Sequence, residues 1–349
     1  MKKTLLLFLL TFSLTCQADL FNPDYYNYDQ SIPSQQRLGS NELAVIINES
    51  DPLSATLGEY YVAKRKIPRE NVITINFPPG NKVMSKEDFA VIKRQVDELT
   101  PFNVQAYALT WVAPFRVECM SITTAFAMGF DPEFCARGCR PTRENPYFNS
   151  LSHHPWADFR IRPTMSIAAT SLHDGIALIK KGVEADFSYP PGTAYLVSTN
   201  DKNRNVRSHF YPDLMNRLNP IFTIKEVKTN SLKNKNDVLF YITGLKKIDH
   251  LDTLNFLPGA VADHLTSAGG VLTGSSQMSA LRWLEAGATG SYGAVVEPCN
   301  FPQKFPHPIV LMQHYLNGDT LIEAYWKSVA WPGQGIFIGE PLAKPFSLF

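Results

Sequence analysis

The chain has 349 residues, of which 44% are hydrophobic and 19% charged. This is the composition of a globular protein with an ample core, not of a disordered or fibrous one. Its 33 basic and 32 acidic residues nearly cancel and form no basic stripe, which excludes nucleic acid or an anionic membrane as a partner held mainly by charge.

The N-terminus reads as an export signal. Lys2 and Lys3 precede an apolar run of about ten residues, 5–14, and Cys16-Gln17-Ala18 puts small residues at the −3 and −1 positions of a cleavage site. That run is shorter than the roughly twenty residues needed to span a bilayer, and charge or proline interrupts every later apolar stretch. The expected mature chain begins at Asp19 and, without Lys2 and Lys3, carries 31 basic against 32 acidic residues. It is expected in the periplasm or outside the cell, with no transmembrane segment. Acylation of Cys16 is the rival reading; it wants a leucine one residue before Leu14 and a smaller residue than Thr15.

Residues 19–40 lack periodicity and read as an irregular leader; residues 41–349 read as one α/β domain. The continuous apolar run 43–47 suits a strand buried on both faces. Residues 54–66 follow as a helix with Leu53, Leu57, Tyr60 and Tyr61 on one face, stopped by Pro68, and 72–77 as the next strand. Ser85-x-x-Asp88 opens a helix whose apolar face is Phe89, Ile92, Val96 and Leu99. After a strand at 104–111, residues 118–165 are rich in cysteine, proline and turns, and read as a long disulfide-braced excursion from the sheet. Helices at 174–183 and 211–218 alternate with strands at 193–198, 222–227 and 238–242. A small-residue segment at 259–270, a short helix at 279–285, a strand at 294–296 and a capping box at Thr320-x-x-Glu323 complete the chain. Strands separated by helical segments predict a mainly parallel sheet with helices on both faces.

Cys119, Cys135, Cys139 and Cys299 remain after cleavage. An even count in an oxidising compartment predicts two disulfides with three possible connectivities. Either Cys135 and Cys139 close a local loop, or each reaches out to Cys119 and Cys299. One C-x3-C with two distant cysteines is not a zinc spacing, adjacent His153 and His154 would face opposite ways on a strand, and no phosphate-binding glycine motif occurs. No metal or other cofactor is called for.

Ligands of open parallel sheets bind beyond the carboxyl ends of strands, which singles out the loops after residues 198, 244 and 262. In the first, Asp201, Arg204, Arg207 and His209 form a candidate ligand clamp; one helical turn would aim both guanidinium groups the same way, at a carboxylate or phosphate. Self-paired charges on a solvated loop are the plainer reading. In the third, Asp263, His264 and Ser267 are candidate catalytic residues, a carboxylate, an imidazole base and a hydroxyl nucleophile. Neighbours in sequence usually point apart, so the plainer reading is a close-packed Gly/Ala turn with a hydrogen-bonded histidine. His250, between Asp249 and Asp252, repeats the idea on a surface loop. Cys299, with His307 eight residues on, has the position of a thiol nucleophile, against its use in a disulfide.

Several segments together resemble an exported bacterial family: residues 43–48, 60–68, 256–270, Trp283-Leu-Glu-Ala-Gly-Ala-Thr-Gly290, Glu297-Pro-Cys-Asn300 and Phe337-Ile-Gly-Glu-Pro-Leu342. That family, of no assigned activity, occurs in bacteria that carry the exosortase and PEP-CTERM protein-sorting system. Residues 270–341 are more remotely similar to the end of the catalytic domain of gingipain-type cysteine peptidases. That likeness implies a caspase-like three-layer sandwich with a His-Gly after one strand and a Cys after the next. Here the first strand ends at Thr243-Gly244 with no His, and the segment where the nucleophile would lie, residues 263–270, has no Cys. The resemblances imply a non-peptidase envelope protein that binds a protein or peptide partner in protein sorting or extracellular polysaccharide assembly. The enzyme alternative is a hydrolase or cysteine peptidase of the same fold.

Overall fold

The computed structural model describes residues 37–136 and 138–348; the expected signal segment 1–18 and most of the leader lie outside them. The strands in chain order are β1 (Leu43–Asn48), β2 (Val72–Ile75), β3 (Val83–Met84), β4 (Ala106–Leu109), β5 (Arg116–Val117), β6 (Met120–Ser121) and β7 (Thr164–Ser166). They continue with β8 (Thr193–Ser198), β9 (Ile224–Lys228), β10 (Lys235–Thr243), β11 (Leu254–His264), β12 (Gly290–Ala294) and β13 (Gly335–Gly339). Ten of them form one sheet in the order β2-β1-β4-β7-β13-β12-β11-β10-β8-β9, and β3-β5-β6 form a small second sheet.

The large sheet consists of two parallel halves of opposite direction. β2, β1, β4, β7 and β13 run one way, β12, β11, β10, β8 and β9 the other, and the halves meet at the antiparallel β12–β13 ladder. Their carboxyl ends therefore emerge on opposite edges of the sheet. The loops after β8, β10, β11 and β12 share one of these edges.

The helices are α1 (Pro52–Arg65), α2 (Lys86–Leu99), α3 (Ile122–Met128), α4 (Pro155–Phe159), α5 (Leu172–Ala185), α6 (Tyr211–Leu218), α7 (Leu281–Glu285), α8 (Pro308–Leu316) and α9 (Leu321–Ser328). α1, α5 and α7 pack together over one face, while α2, α3, α6, α8 and α9 cover the other, giving an α/β sandwich of three layers. Local chemistry sets the ends of these helices. Asp51 caps α1 by accepting from Leu53 N, and Ser85 caps α2 by accepting from Asp88 N at 3.1 Å. Thr320 and Glu323 form a reciprocal capping box at α9.

Several elements depart from the sequence expectations. Leu99, placed on the apolar face of α2, is 53% exposed. The excursion 118–165 contains the buried helix α3 and ends in β7, a three-residue strand in the middle of the sheet. β11 begins at Leu254 and carries Pro258 and Gly259, tolerated because its ladder with β10 shifts register twice near there. β12 lies four residues before the expected strand, and α8, buried along most of its length, lacks the one-sided pattern that marks a surface helix.

Cys119 pairs with Cys135 and Cys139 with Cys299, at Cα separations of 5.7 and 5.5 Å. These two bridges fit an exported chain in an oxidising compartment. Among the described residues no helix is long and apolar enough to cross a membrane.

Candidate functional site

The loops beyond the carboxyl ends of β8, β11 and β12, with Cys139, border an open cavity of about 350 Å³, lined by Asn203, Arg204, Leu265, Ser267, Glu297, Asn300 and the Cys139–Cys299 bridge. Close backbone approaches hold the loops around it. A methyl group at Gly244, which follows β10, would lie 1.8 Å from the carbonyl oxygen of Arg204, so the first and second loops touch main chain to main chain. A methyl at Gly293 in β12 would lie 2.4 Å from the Gly269 carbonyl carbon, and one at Gly270 2.3 Å from Gly293 O. Gly270 and Gly293 thus let the third loop lie flat on β12.

Arg204 stands at the wall of this cavity in a fixed pose. Its Nη1 donates to Asp201 Oδ2 at 2.8 Å and its Nε to Thr266 Oγ1 at 3.0 Å. Thr266 in turn donates to Gln277 Oε1 at 2.7 Å, which also accepts from Ala268 N. Among the described residues the guanidinium's remaining N–H groups have no protein acceptor. Asn203, Asn300 and the Ser267 hydroxyl add further donors, and Glu297 supplies a carboxylate whose Oε1 accepts from Cys299 N.

Arg207 takes a different direction. It lies in a 3₁₀ turn, residues 205–210, and is buried against the carboxylate of Asp263, to which its Nη2 donates a hydrogen bond. The same guanidinium donates to Thr243 O at 2.7 Å and Pro306 O at 3.2 Å. It thereby ties the ends of β10 and β11 to the start of α8 beneath the cavity. Arg204 and Arg207 do not form one clamp: the tight turn sends the first to the cavity and the second into the core. His209 is exposed, with Nδ1 donating to Val206 O.

Asp263 and His264 leave β11 on opposite faces, as alternation along a strand requires. Burial pushes the Asp263 carboxyl up, opposed by Arg207. His264 is enclosed on the other face: Trp283 Nε1 donates to its Nδ1 at 2.9 Å, and its Nε2 donates to Met278 O at 3.1 Å. These partners fix a neutral tautomer with both ring nitrogens occupied, and burial lowers its pKa to about 4. Ser267 lines the cavity, and no imidazole among the described residues hydrogen-bonds to it. The three candidate catalytic residues are close in sequence, yet the structure directs them to three different surroundings. Cys299 is bridged, so its sulfur has no thiolate to offer.

A second group of ionisable side chains, which sequence reasoning did not single out, lies in the core between α8, α9 and the excursion. One ligand atom from each of His153, Asp319 and Glu323 lies within 4.8 Å of the other two, a spacing compatible with a metal ion. The hydrogen bonds argue otherwise. Arg37 donates to His153 Nε2 at 2.9 Å, which makes that nitrogen an acceptor and puts the proton on Nδ1, facing Glu323 Oε1 at 2.6 Å. Ligation through Nδ1 would return the proton to Nε2, against the arginine. Lys327 Nζ donates to Asp319 Oδ2 at 2.7 Å, and His314 Nδ1 to the same oxygen at 2.9 Å. Burial raises the Asp319 carboxyl, but Lys327 and the two histidines overcome this and hold it far below the usual range. Asp319 already faces Lys327 and Arg37, and Glu323 faces His153, so two carboxylates and two cations form an ion network closed on itself.

No family model, curated protein or solved structure matches the chain.

Proposed function

We propose that this chain is an exported envelope protein that recognises a partner without cutting it, binding an extended peptide segment of another envelope protein in the Arg204 cavity. Its place would be protein sorting or extracellular polysaccharide assembly. One observation carries the reading. At the strand ends where a nucleophile and a base would be expected, Cys299 is bridged and His264 has both nitrogens engaged, while Arg204 is held with donors to spare. Spare N–H groups beside two amides and a hydroxyl suit the carbonyl oxygens of a peptide backbone, and Glu297 suits its N–H groups.

The test is a peptide array tiled over exported proteins that carry a sorting signal, probed with purified protein. The expected result is binding that Arg204→Ala weakens at least about tenfold, with array peptides intact by mass spectrometry. Peptide cleavage that disappears in Ser267→Ala would replace this reading with the hydrolase one.

A further inference from the structure

The two disulfides differ in setting, and the difference points to a chemical role for one of them. Cys135 is 5% exposed and Cys119 half-buried, so the first bridge is part of the core around β5, β6 and α3. In the second, Cys139 is exposed and Cys299, like Cys119, is half-buried, and both line the Arg204 cavity. Cys299 also holds its backbone at φ 55°, in the left-handed region that a residue with a side chain rarely adopts.

The second bridge is also a tether. Hydrogen bonds made by residues 138–144 run within that segment or back to residues 131–135: Arg140 N to Gly138 O, Arg140 Nη2 to Cys135 O, Arg143 N to Glu133 O, and Arg143 Nη1 to Asp131 Oδ2. Among the described residues none joins the segment to the loops of the cavity. Of this segment only Cys139 lines the cavity, and among the described residues its bridge to Cys299, 160 residues away in sequence, is the one bond that ties the segment there.

We propose that Cys139–Cys299 is a thiol–disulfide exchange site, opened by a dithiol of the oxidoreductase class, and that opening it releases residues 138–144 from the cavity. The thiolate of the dithiol attacks the exposed Sγ of Cys139, forming a mixed disulfide and expelling Cys299 as thiolate. The second thiol of the reagent then attacks its own mixed-disulfide sulfur, expelling Cys139 as thiolate. The two cysteines end reduced, the reagent ends as a disulfide, and two electrons and two protons have moved. Arg204, in the same cavity, stabilises the departing Cys299 thiolate; Glu297 opposes this, with one of its oxygens engaged by Cys299 N. The inference stands independently of what the cavity binds.

The experiment uses the oxidised full chain and dithiothreitol as the dithiol. Samples are trapped with an alkylating agent over time, and each cysteine is read by peptide mass spectrometry. Cys139 and Cys299 should be labelled at least about tenfold faster than Cys119 and Cys135, while near-ultraviolet circular dichroism stays native. In the selectively opened, alkylated protein, amide exchange at 138–144 should rise. Equal or reversed labelling order, opening only together with global unfolding, or unchanged exchange at 138–144 overturns the proposal. No variant is needed, so a folding defect cannot obscure the outcome.

Discussion

The Arg207–Asp263 pair is where scaffold and chemistry are most easily told apart. Both side chains are 2% exposed, and the guanidinium also serves Thr243 O and Pro306 O. Arg207→Met leaves a buried carboxylate without its counter-ion, which costs about 3–5 kcal/mol, and takes a donor from two carbonyls at about 1 kcal/mol each. Asp263→Leu strands the guanidinium at a comparable cost. The double variant removes both charges together and should lose only about 2 kcal/mol, far less than the singles added. Urea denaturation followed by tryptophan fluorescence and circular dichroism gives the three values. A pH series adds a second check. Without Arg207, burial raises the Asp263 pKa further above its unfolded value. A carboxyl raised in the folded state binds its proton more readily there, so acidification stabilises it. The deficit of Arg207→Met relative to wild type should therefore narrow as pH falls. Additive singles, or an Arg207→Met cost under about 1 kcal/mol, would refute the assignment of this pair to the scaffold.

Gly244→Ala drives a methyl into the Arg204 carbonyl; it should cost about 3 kcal/mol in denaturant unfolding and weaken peptide binding together with Arg204→Ala. Burial lowers the pKa of His264 to about 4 and of His307 to about 3, both from 6.5. A base depressed in the folded state leaves the unfolded chain binding more protons, so stability should fall as pH drops from about 6.5 toward 4, with about 3 kcal/mol from His264 alone; His264→Gln should flatten that slope in denaturant titrations. Glu323→Gln keeps an acceptor for the α9 cap but turns an N–H toward His153 Nδ1, and Arg37 blocks the other tautomer. It should cost about 1–3 kcal/mol by thermal unfolding, and no measurable cost would contradict the tautomer assigned to His153.

Much of the architecture is legible in local pattern. The apolar run at β1, the spaced faces of α1 and α2, and the capping signals at Ser85 and Thr320 all appear where physical chemistry places them. The misreadings have identifiable causes. Pro258-Gly259 looks like a turn, and only a register shift against β10 keeps those residues inside β11. Helix α8 is enclosed on nearly all sides and has no polar face to reveal its period. The candidate site shows the same division. That a cavity lies beyond β8 and β11 follows from connectivity, and Arg204 and Ser267 do line it. That Arg207 turns inward to Asp263, 56 residues away, has no local signature, because a buried arginine and a solvated one read alike in a polar loop. The His153–Glu323 network was hidden for the same reason: its members are 170 residues apart in sequence and meet only in the folded chain.

The most direct measurement for recognition without cleavage is equilibrium binding and mass spectrometry on the same sample, with the highest-affinity array peptide and purified, unreduced protein. The account predicts saturable binding that Arg204→Ala weakens at least about tenfold, and a peptide of unchanged mass after prolonged incubation. A shortened peptide, with cleavage abolished by Ser267→Ala or appearing only once Cys299 is reduced, would contradict it.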